Sequence, residues 1–330
     1  MSDAALRMSD LRVDLGAADS RVHALRGVDL ELPPGRVSGL VGESGSGKST
    51  AMLAAIGLLP PTGRVTGGSI RLGDQELTQL PERQWREVRG RRIGVIFQNA
   101  RAALHPMRTV ETQLARVHRR HLGSSRREAA AAVLEVLASV GFEQPSEIAG
   151  RFAHQLSGGQ CQRAMIGLAL IAQPDVVLAD EPTSGLDVTV QEQVLETLLD
   201  RVRETRTTLL LISHDISVVD HACDYVNVMY AGEIVEAGTR VAVLGQPAHP
   251  YTQGLLESLD PEARRMPFVA GVVPDLRYEI TGCAFADRCP KVSPASRARR
   301  PEPVTGPGGQ QVRCVLYANS GDSSPGEAGA

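Results

Sequence analysis

The amino-acid sequence predicts an α/β protein with a largely parallel sheet, a small antiparallel element, a helical insertion and a loop-rich C-terminal part. Apolar runs of four or five residues recur at 37–41, 93–97, 176–179 and 209–212, the length and continuity of strands covered on both faces. Stretches rich in Ala, Leu and Glu lie between them, residues 126–140 and 190–203 in particular, and these are helix formers. Strands that alternate with helices in this way build a parallel sheet with helices on its faces.

Residues 60–80 interrupt the alternation. Pro60, Pro61, Gly63, Gly67, Gly68 and Gly73 punctuate short Val, Ile and Leu segments, which is hairpin chemistry and accounts for the antiparallel element. Between residues 99 and 159 the strand-like runs vanish and helix formers dominate, hence the insertion. Ten of the 20 prolines fall within residues 246–318, so this part reads as an appendage of loops, and residues 319–330 as a disordered tail.

Composition narrows the class further. With 330 residues, 42% hydrophobic and 22% charged, the chain can bury a substantial core, and collagen-like, coiled-coil or wholly disordered architectures are excluded. A net charge of -3 and a sparse set of one Trp, five Tyr and five Phe argue against a polynucleotide partner. The longest apolar stretch, residues 51–59, is about half a bilayer span and contains Gly57, so no transmembrane helix is expected. The N-terminal residues lack a basic start followed by an apolar run, which makes the cytoplasm the expected compartment. Five cysteines, an odd number, argue against a disulfide framework.

The chemistry concentrates in a few places. Gly42-Glu43-Ser44-Gly45-Ser46-Gly47-Lys48-Ser49-Thr50 fits G-x-x-x-x-G-K-[ST], after an apolar strand and before a helix-capable run. Its glycines let backbone N–H groups turn inward, and a helix starting near Lys48 adds its positive end, so the loop suits a polyphosphate. Lys48 is expected to reach the β- and γ-phosphate oxygens, and Ser49 to bind Mg²⁺. The strand at 176–179 runs into Asp180 and Glu181, and strand C-termini face the ligand crevice of a parallel sheet. Asp180 is therefore expected to hold Mg²⁺ through water and Glu181 to polarise the attacking water.

Leu156-Ser157-Gly158-Gly159-Gln160 can form a second anion nest ahead of a helix. Two such nests in one chain suggest two chains paired head to tail, each nucleotide held between the Lys48 loop of one and the Ser157 loop of the other. Gln98, directly after the strand at 93–97, is placed to ligate Mg²⁺ or the attacking water. His214, after the strand at 209–212, is placed to hydrogen-bond a γ-phosphate oxygen.

In this order GESGSGKST, IFQNARAALHP, HQLSGGQCQR, VVLADEPTSGLDV and LLISHDISVV resemble the Walker A, Q-loop, signature, Walker B with D-loop, and H-loop motifs of ABC transporter ATPases, over roughly residues 10–245. DVTVQEQVL, AHPYTQGLL, GCAFADRCP and VRCVLY are similar to the dipeptide/oligopeptide and nickel importer ATPases and their C-terminal extension. The resemblance implies a P-loop NTPase fold: an ATPase domain over 1–245 with a RecA-like sheet, an antiparallel β subdomain and a helical signature subdomain at 99–159, then an extension over 246–318. It implies ATP and Mg²⁺ as ligands, with Lys48, Gln98, Glu181 and His214 catalytic. Residues 42–50 with Ser157, Gly158, Gly159, Gln160 and Asp187 would contact nucleotide, and Ser49, Gln98 and Asp180 the Mg²⁺. Its implied partners are a second ATPase subunit, identical or not, two transmembrane permease subunits and, indirectly, an extracellular solute-binding protein, with this chain peripheral on the cytoplasmic face of the membrane. The implied function is ATP hydrolysis that powers import of peptides or related small solutes. Nickel chelates are an alternative cargo, and a non-transport ABC ATPase associated with ribosomes or DNA an alternative role.

Two departures from the family pattern matter. Such cassettes usually stack adenine on an aromatic residue upstream of the loop lysine, but no Phe, Tyr or Trp occurs between Met1 and Val41. His23 or the apolar face of Val22 is the expected substitute, with weakened base selectivity. Members of the dipeptide type often carry four cysteines around a [4Fe-4S] cluster; here Cys283, Cys289 and Cys314 are present and Ser296 takes the fourth position. Three readings stay open: a cluster with Ser296, water or another group as fourth ligand, a structural Zn²⁺, or metal-free thiols that pack the extension. Cys161 and Cys223 are expected in the core or on a helix surface. The basic stretch at 116–127 reads as a solvated helix face, or as a contact to the permease or membrane.

Overall fold

A computed structural model describes residues 5–257 and 271–318, so the tail at 319–330 lies outside the described residues. The strands in chain order are β1 (Leu6–Leu15), β2 (Val22–Leu32), β3 (Val37–Val41), β4 (Arg64–Leu72), β5 (Gln75–Glu76), β6 (Ile93–Ile96), β7 (Val176–Asp180), β8 (Thr208–Ser213), β9 (Tyr225–Tyr230), β10 (Glu233–Thr239), β11 (Val304–Thr305) and β12 (Gln311–Val312). They form two sheets, ordered β2-β1-β4-β5 and β11-β12-β10-β9-β3-β8-β7-β6. The first is antiparallel. In the second, β9, β3, β8, β7 and β6 run parallel.

The strand alternation sorts the core. In β8, Leu209 and Leu211 pack with the helical side of the molecule, whereas Leu210 and Ile212 pack with residues of the small sheet such as Leu11 and Leu30. All four are fully buried, which is why this strand reads as a continuous apolar run rather than an alternating one.

The four anticipated strands are present, with Asp180 inside β7 and Phe97 outside β6. The anticipated helices run over Arg126–Ser139 and Val188–Glu204. The first is opened by a capping box in which Ser125 and Glu128 satisfy each other's backbone N–H groups, the second by Asp187, whose carboxylate accepts the Val190 N–H. Residues 99–159 fold as the helices Ala100–Ala103, Val110–Leu122, Arg126–Ser139 and Pro145–Ala149. In the basic stretch Arg116, Arg119, Arg120, Arg126 and Arg127 are exposed, and Arg120 pairs with Glu87 at 3.0 Å. Among the described residues no helix is long and apolar enough to cross a membrane.

Among the strands that escape the apolar-run criterion are β1, β2, β9 and β10, and the reasons are physical. β1 and β2 pair along their length, but the register shifts between Met8 and Leu11, where Asp10 adopts φ 43°. This bulge moves the buried set from Leu6 and Met8 to Leu11 and Val13, which breaks the period-two pattern. β9 and β10 carry buried polar residues. Asn227 donates to Gly39 O at 3.1 Å, and Glu233 pairs with Arg300 at 2.9 Å. The two strands are joined by Ala231 and Gly232 at φ 46° and 79°, the signature of a type I′ hairpin turn. That turn also ties the two sheets to the loop: Gly232 N–H donates to Ser46 O at 2.9 Å and Arg26 N–H to Gly232 O at 2.8 Å.

The C-terminal region is not an appendage. β12 pairs with β10 and extends the large sheet. Tyr251 and Phe285 are fully buried and meet Tyr230 in a cluster with ring centroids 4.6 to 5.5 Å apart. Glu236, wholly buried, accepts the N–H groups of Ala248 at 2.8 Å and His249 at 2.9 Å and the Gln310 amide at 3.1 Å. A buried carboxylate with this many donors is satisfied, so loops can be held as firmly as strands.

Candidate functional site

The C-terminal ends of the parallel strands open on a cleft of about 720 Å³ lined by Ser44, Lys48, Ser49, Gln98, Asp180 and Glu181, with Gly45, Gly47, Thr50, Ser184 and His214 also on its walls. Gly42, Gly45 and Gly47 adopt φ 153°, 81° and 109°. A Cβ at Gly42 would lie 2.1 Å from Met229 O, whereas nothing lies within 4 Å above Gly45, so the first glycine admits the loop to its seat and the second leaves open space over the amides. The helix Lys48–Ala55 then begins, directing its N-terminus at that space.

Lys48 folds back on the loop. Its Nζ donates to Gly42 O at 2.7 Å and to Glu43 O at 2.9 Å, and burial holds the ammonium below its ordinary pKa despite nearby Glu181, Asp180 and Glu43. Asp180 is pushed the opposite way, up, by burial, with a hydrogen bond from Ser49 as the leading opposing influence. A desolvated cation and a desolvated carboxylate thus face one cleft, and the donor set of loop amides, Lys48, Ser49 and Asp180 fits a polyphosphate with a hard divalent cation.

Glu181 sits just past β7 at φ 45°, a left-handed conformation that costs a non-glycine residue about 1–3 kcal/mol. Its N–H donates to Ile212 O at 2.9 Å, which holds the turn. The carboxylate accepts from Gln98 Nε2 at 2.8 Å and from His214 Nδ1 at 2.8 Å. A carboxylate accepts only, so the His214 proton lies on Nδ1. A ring that donates from Nδ1 in this way offers Nε2 as an acceptor, so donating to a phosphate oxygen requires His214 to release Glu181.

The structure therefore brings together the loop, Gln98, Asp180, Glu181 and His214. It leaves Ser157, Gly158, Gly159, Gln160 and Asp187 off this cleft. Ser157 opens the helix Gly158–Leu170, its Oγ accepting the Gln160 N–H at 3.2 Å while Gln160 Oε1 accepts the Ser157 N–H at 3.0 Å. Gly159 has a packing reason: a Cβ there would lie 2.6 Å from Val190 Cγ1.

Ser184, which Gln98 approaches at 3.4 Å, was missed by sequence reasoning, as were Leu15, Ala24 and Leu276 on the apolar side of the cleft. Val22 lines the cleft as expected, but His23 does not. It pairs with Asp14 at 2.8 Å and faces a separate cavity of about 570 Å³, because alternate residues of β2 point to opposite sides.

The metal readings of the C-terminal cysteines do not fit. Among the described residues no three His, Cys, Asp or Glu side chains are arranged to hold a metal ion. Burial raises the Cys283 thiol to about 11 and also raises that of Cys314. Ser296 Oγ is committed to Ser293, accepting its N–H at 2.8 Å and donating to its carbonyl at 3.0 Å. Cys161 and Cys223 are buried in the core.

Comparison with known proteins agrees with the geometry. The profile of the family described as ABC transporter matches residues 25–184, and that described as Oligopeptide/dipeptide transporter, C-terminal region, matches residues 235–295. The oligopeptide transport ATP-binding protein AppD of Bacillus subtilis is 39% identical over 96% of this chain and 98% of its own. The dipeptide transport ATP-binding protein DppD of the same organism is 42% identical over 86% of both chains. A dimeric ATP-binding cassette solved in a post-hydrolysis state with ADP and Pi superposes with a TM-score of 0.64 at 26% identity, covering 71% of this chain and 98% of that one.

Proposed function

This chain belongs to the ABC transporter ATP-binding subunits of the oligopeptide/dipeptide type, and on that premise we propose that it hydrolyses ATP to power import of peptides or related small solutes through a membrane permease. The observation that carries the reading is the Glu181 carboxylate suspended between Gln98 and His214 beside Lys48 in one cleft. Lys48 exchanges the carbonyls of Gly42 and Glu43 for phosphate oxygens, and the loop amides complete the cradle. Ser49, Asp180 and Gln98 would hold Mg²⁺, which supplies charge stabilisation to the transferred phosphoryl group. Glu181 orients the attacking water and accepts its proton, and Gln98 and His214 report the state of that carboxylate to the elements that carry them.

The position of Ser157 off its own chain's cleft supports pairing with a second ATPase subunit, whose cleft it would close. Two permease subunits, an external solute-binding protein and a seat on the cytoplasmic face of the membrane complete the proposed assembly. The proposed division is a catalytic part over 1–245, with the helical part at 99–159 relaying to the permease, and a C-terminal part from 246. The resemblance of residues 235–295 to the peptide-transporter C-terminal region favours peptides over nickel chelates and over a non-transport role. Lys48→Ala is the test of this reading. Equilibrium binding of Mg·ATP to the full chain should fall at least 100-fold, and binding at the unmodified level would overturn it.

A further inference from the structure

Glu43 is the second residue of the phosphate loop, and both its backbone and its side chain are held by residues more than 200 positions away. Its N–H donates to Tyr251 Oη at 2.8 Å. Its carboxylate accepts a two-pronged bond from Arg288, Nη1 to Oε2 at 2.8 Å and Nη2 to Oε1 at 2.9 Å. The Arg288 side chain is only 2% exposed, whereas that of Glu43 is 26% exposed. Arg288 also donates to Tyr230 Oη at 3.2 Å, and its guanidinium lies 5.6 Å from the Tyr230 ring centre and 5.9 Å from that of Phe285. The same Glu43 offers its carbonyl to Lys48 Nζ. One unbroken path of charge-assisted bonds therefore runs from the C-terminal region through Glu43 to the lysine.

A carboxylate is an odd residue to place in a loop that receives a polyphosphate, because its charge opposes the ligand's. A buried guanidinium that grips both oxygens cancels that charge and fixes the backbone on either side. Tyr251 complements Arg288 by taking up the Glu43 N–H, so this amide points away from the cradle and leaves the amides that follow to face it. Resting on the nucleotide reading above, we infer that Arg288 and Tyr251 are positioning residues of the ATP site, and that the C-terminal region is a working part of that site because it neutralises and orients Glu43.

Equilibrium dialysis of Mg·ATP against the full-length chain tests this. Arg288→Met should weaken binding about tenfold, leaving an uncompensated carboxylate beside the phosphates. Arg288→Lys should restore part of it, since one point charge replaces a fork. The double variant Arg288→Met with Glu43→Gln should bind several-fold more tightly than Arg288→Met alone, a compensation that a merely structural role for Arg288 would not produce. Tyr251→Phe, which removes one oxygen, should weaken binding about two- to threefold, and with Arg288→Lys carries the test if Arg288→Met does not fold. A folded Arg288→Met that binds as tightly as the unmodified chain, or a double variant no tighter than Arg288→Met, overturns the inference; so does unaltered binding in both Tyr251→Phe and Arg288→Lys. Lys48→Ala run alongside separates the failures. If it too binds normally the nucleotide reading falls, and if it alone loses binding only the role of Arg288 and Tyr251 falls.

Discussion

The phosphate-loop face and the C-terminal region meet at Glu43 but are constructed by opposite means. On the loop face Gln98 and His214 sit at the ends of strands: Gln98 is exposed, His214 is 66% exposed, and both bond to one shared carboxylate. At the C-terminal region Glu236, Gln310 and Arg288 are buried and hydrogen-bonded, and the partners lie as far as 245 residues apart. Gln98 and His214 are kept near solvent, where exchanging a hydrogen bond is cheap. Glu236 and Arg288 are buried, where an unpaired polar atom costs about 1–3 kcal/mol.

The sharpest way to break this contrast is Glu181→Gln. It keeps the shape and the bond to Gln98 but removes the base, so steady-state phosphate release with the companion subunits should fall about 10²- to 10⁴-fold while Mg·ATP binding persists. Unreduced turnover would mean that the exposed rim is not the reacting face. On the buried side, Glu236→Ala strands the N–H groups of Ala248 and His249 and the Gln310 amide. Urea titration should show a loss of about 3 kcal/mol; a loss under ~0.5 kcal/mol would mean that the loops are not anchored there. Gly159→Ala belongs to neither region; its new methyl meets Val190 Cγ1 at 2.6 Å, and the same titration should show about 1–3 kcal/mol.

The last expected effect is a pH dependence. Burial depresses His249 to about 3 in the folded protein, below the ordinary value near 6.5 that it regains on unfolding. The unfolded chain then binds more protons between these values, so this contribution to stability is complete above about pH 6.5 and is lost as pH falls toward about 3. His249→Asn retains an acceptor for the Tyr251 N–H and lacks the titration, so its stability should fall less steeply than that of the unmodified chain between pH 6.5 and 4.5 in matched urea titrations. Parallel slopes would show that His249 is not the titrating group.

How much of this was readable beforehand follows the same division. Residues 42–50, Asp180 and Glu181 can be proposed as a site from local signals, because phosphate chemistry demands fixed residue types at fixed places relative to strands and helices, whereas Gln98 and His214 gain meaning only from their order among the other motifs. The strands β3, β7 and β8 declare themselves because a strand buried on both faces is apolar throughout. β1 hides behind its bulge at Asp10, and β9 and β10 behind polar residues that pair with partners distant in sequence. Pro-rich composition made the C-terminal region look like loose loop, since composition reports the scarcity of regular elements and not the buried Tyr251, Phe285 and Glu236 that bind those loops to the core. The places of Arg288 and Leu276 have no sequence signal of their own; only the folded chain puts Leu276 on the cleft and Arg288 on the Glu43 carboxylate.

The hairpin turn at Ala231 and Gly232 bonds to Ser46 on one side and to Arg26 on the other, and a Cβ at Gly232 would lie 2.8 Å from Ala24 O. Such a turn has no slack in length or in side-chain volume, so engineered insertions and fusion points belong elsewhere. The exposed tip at Gly73 and Asp74, with nothing within 4 Å of a Cβ on Gly73, is where a fluorophore or affinity tag can be spliced in.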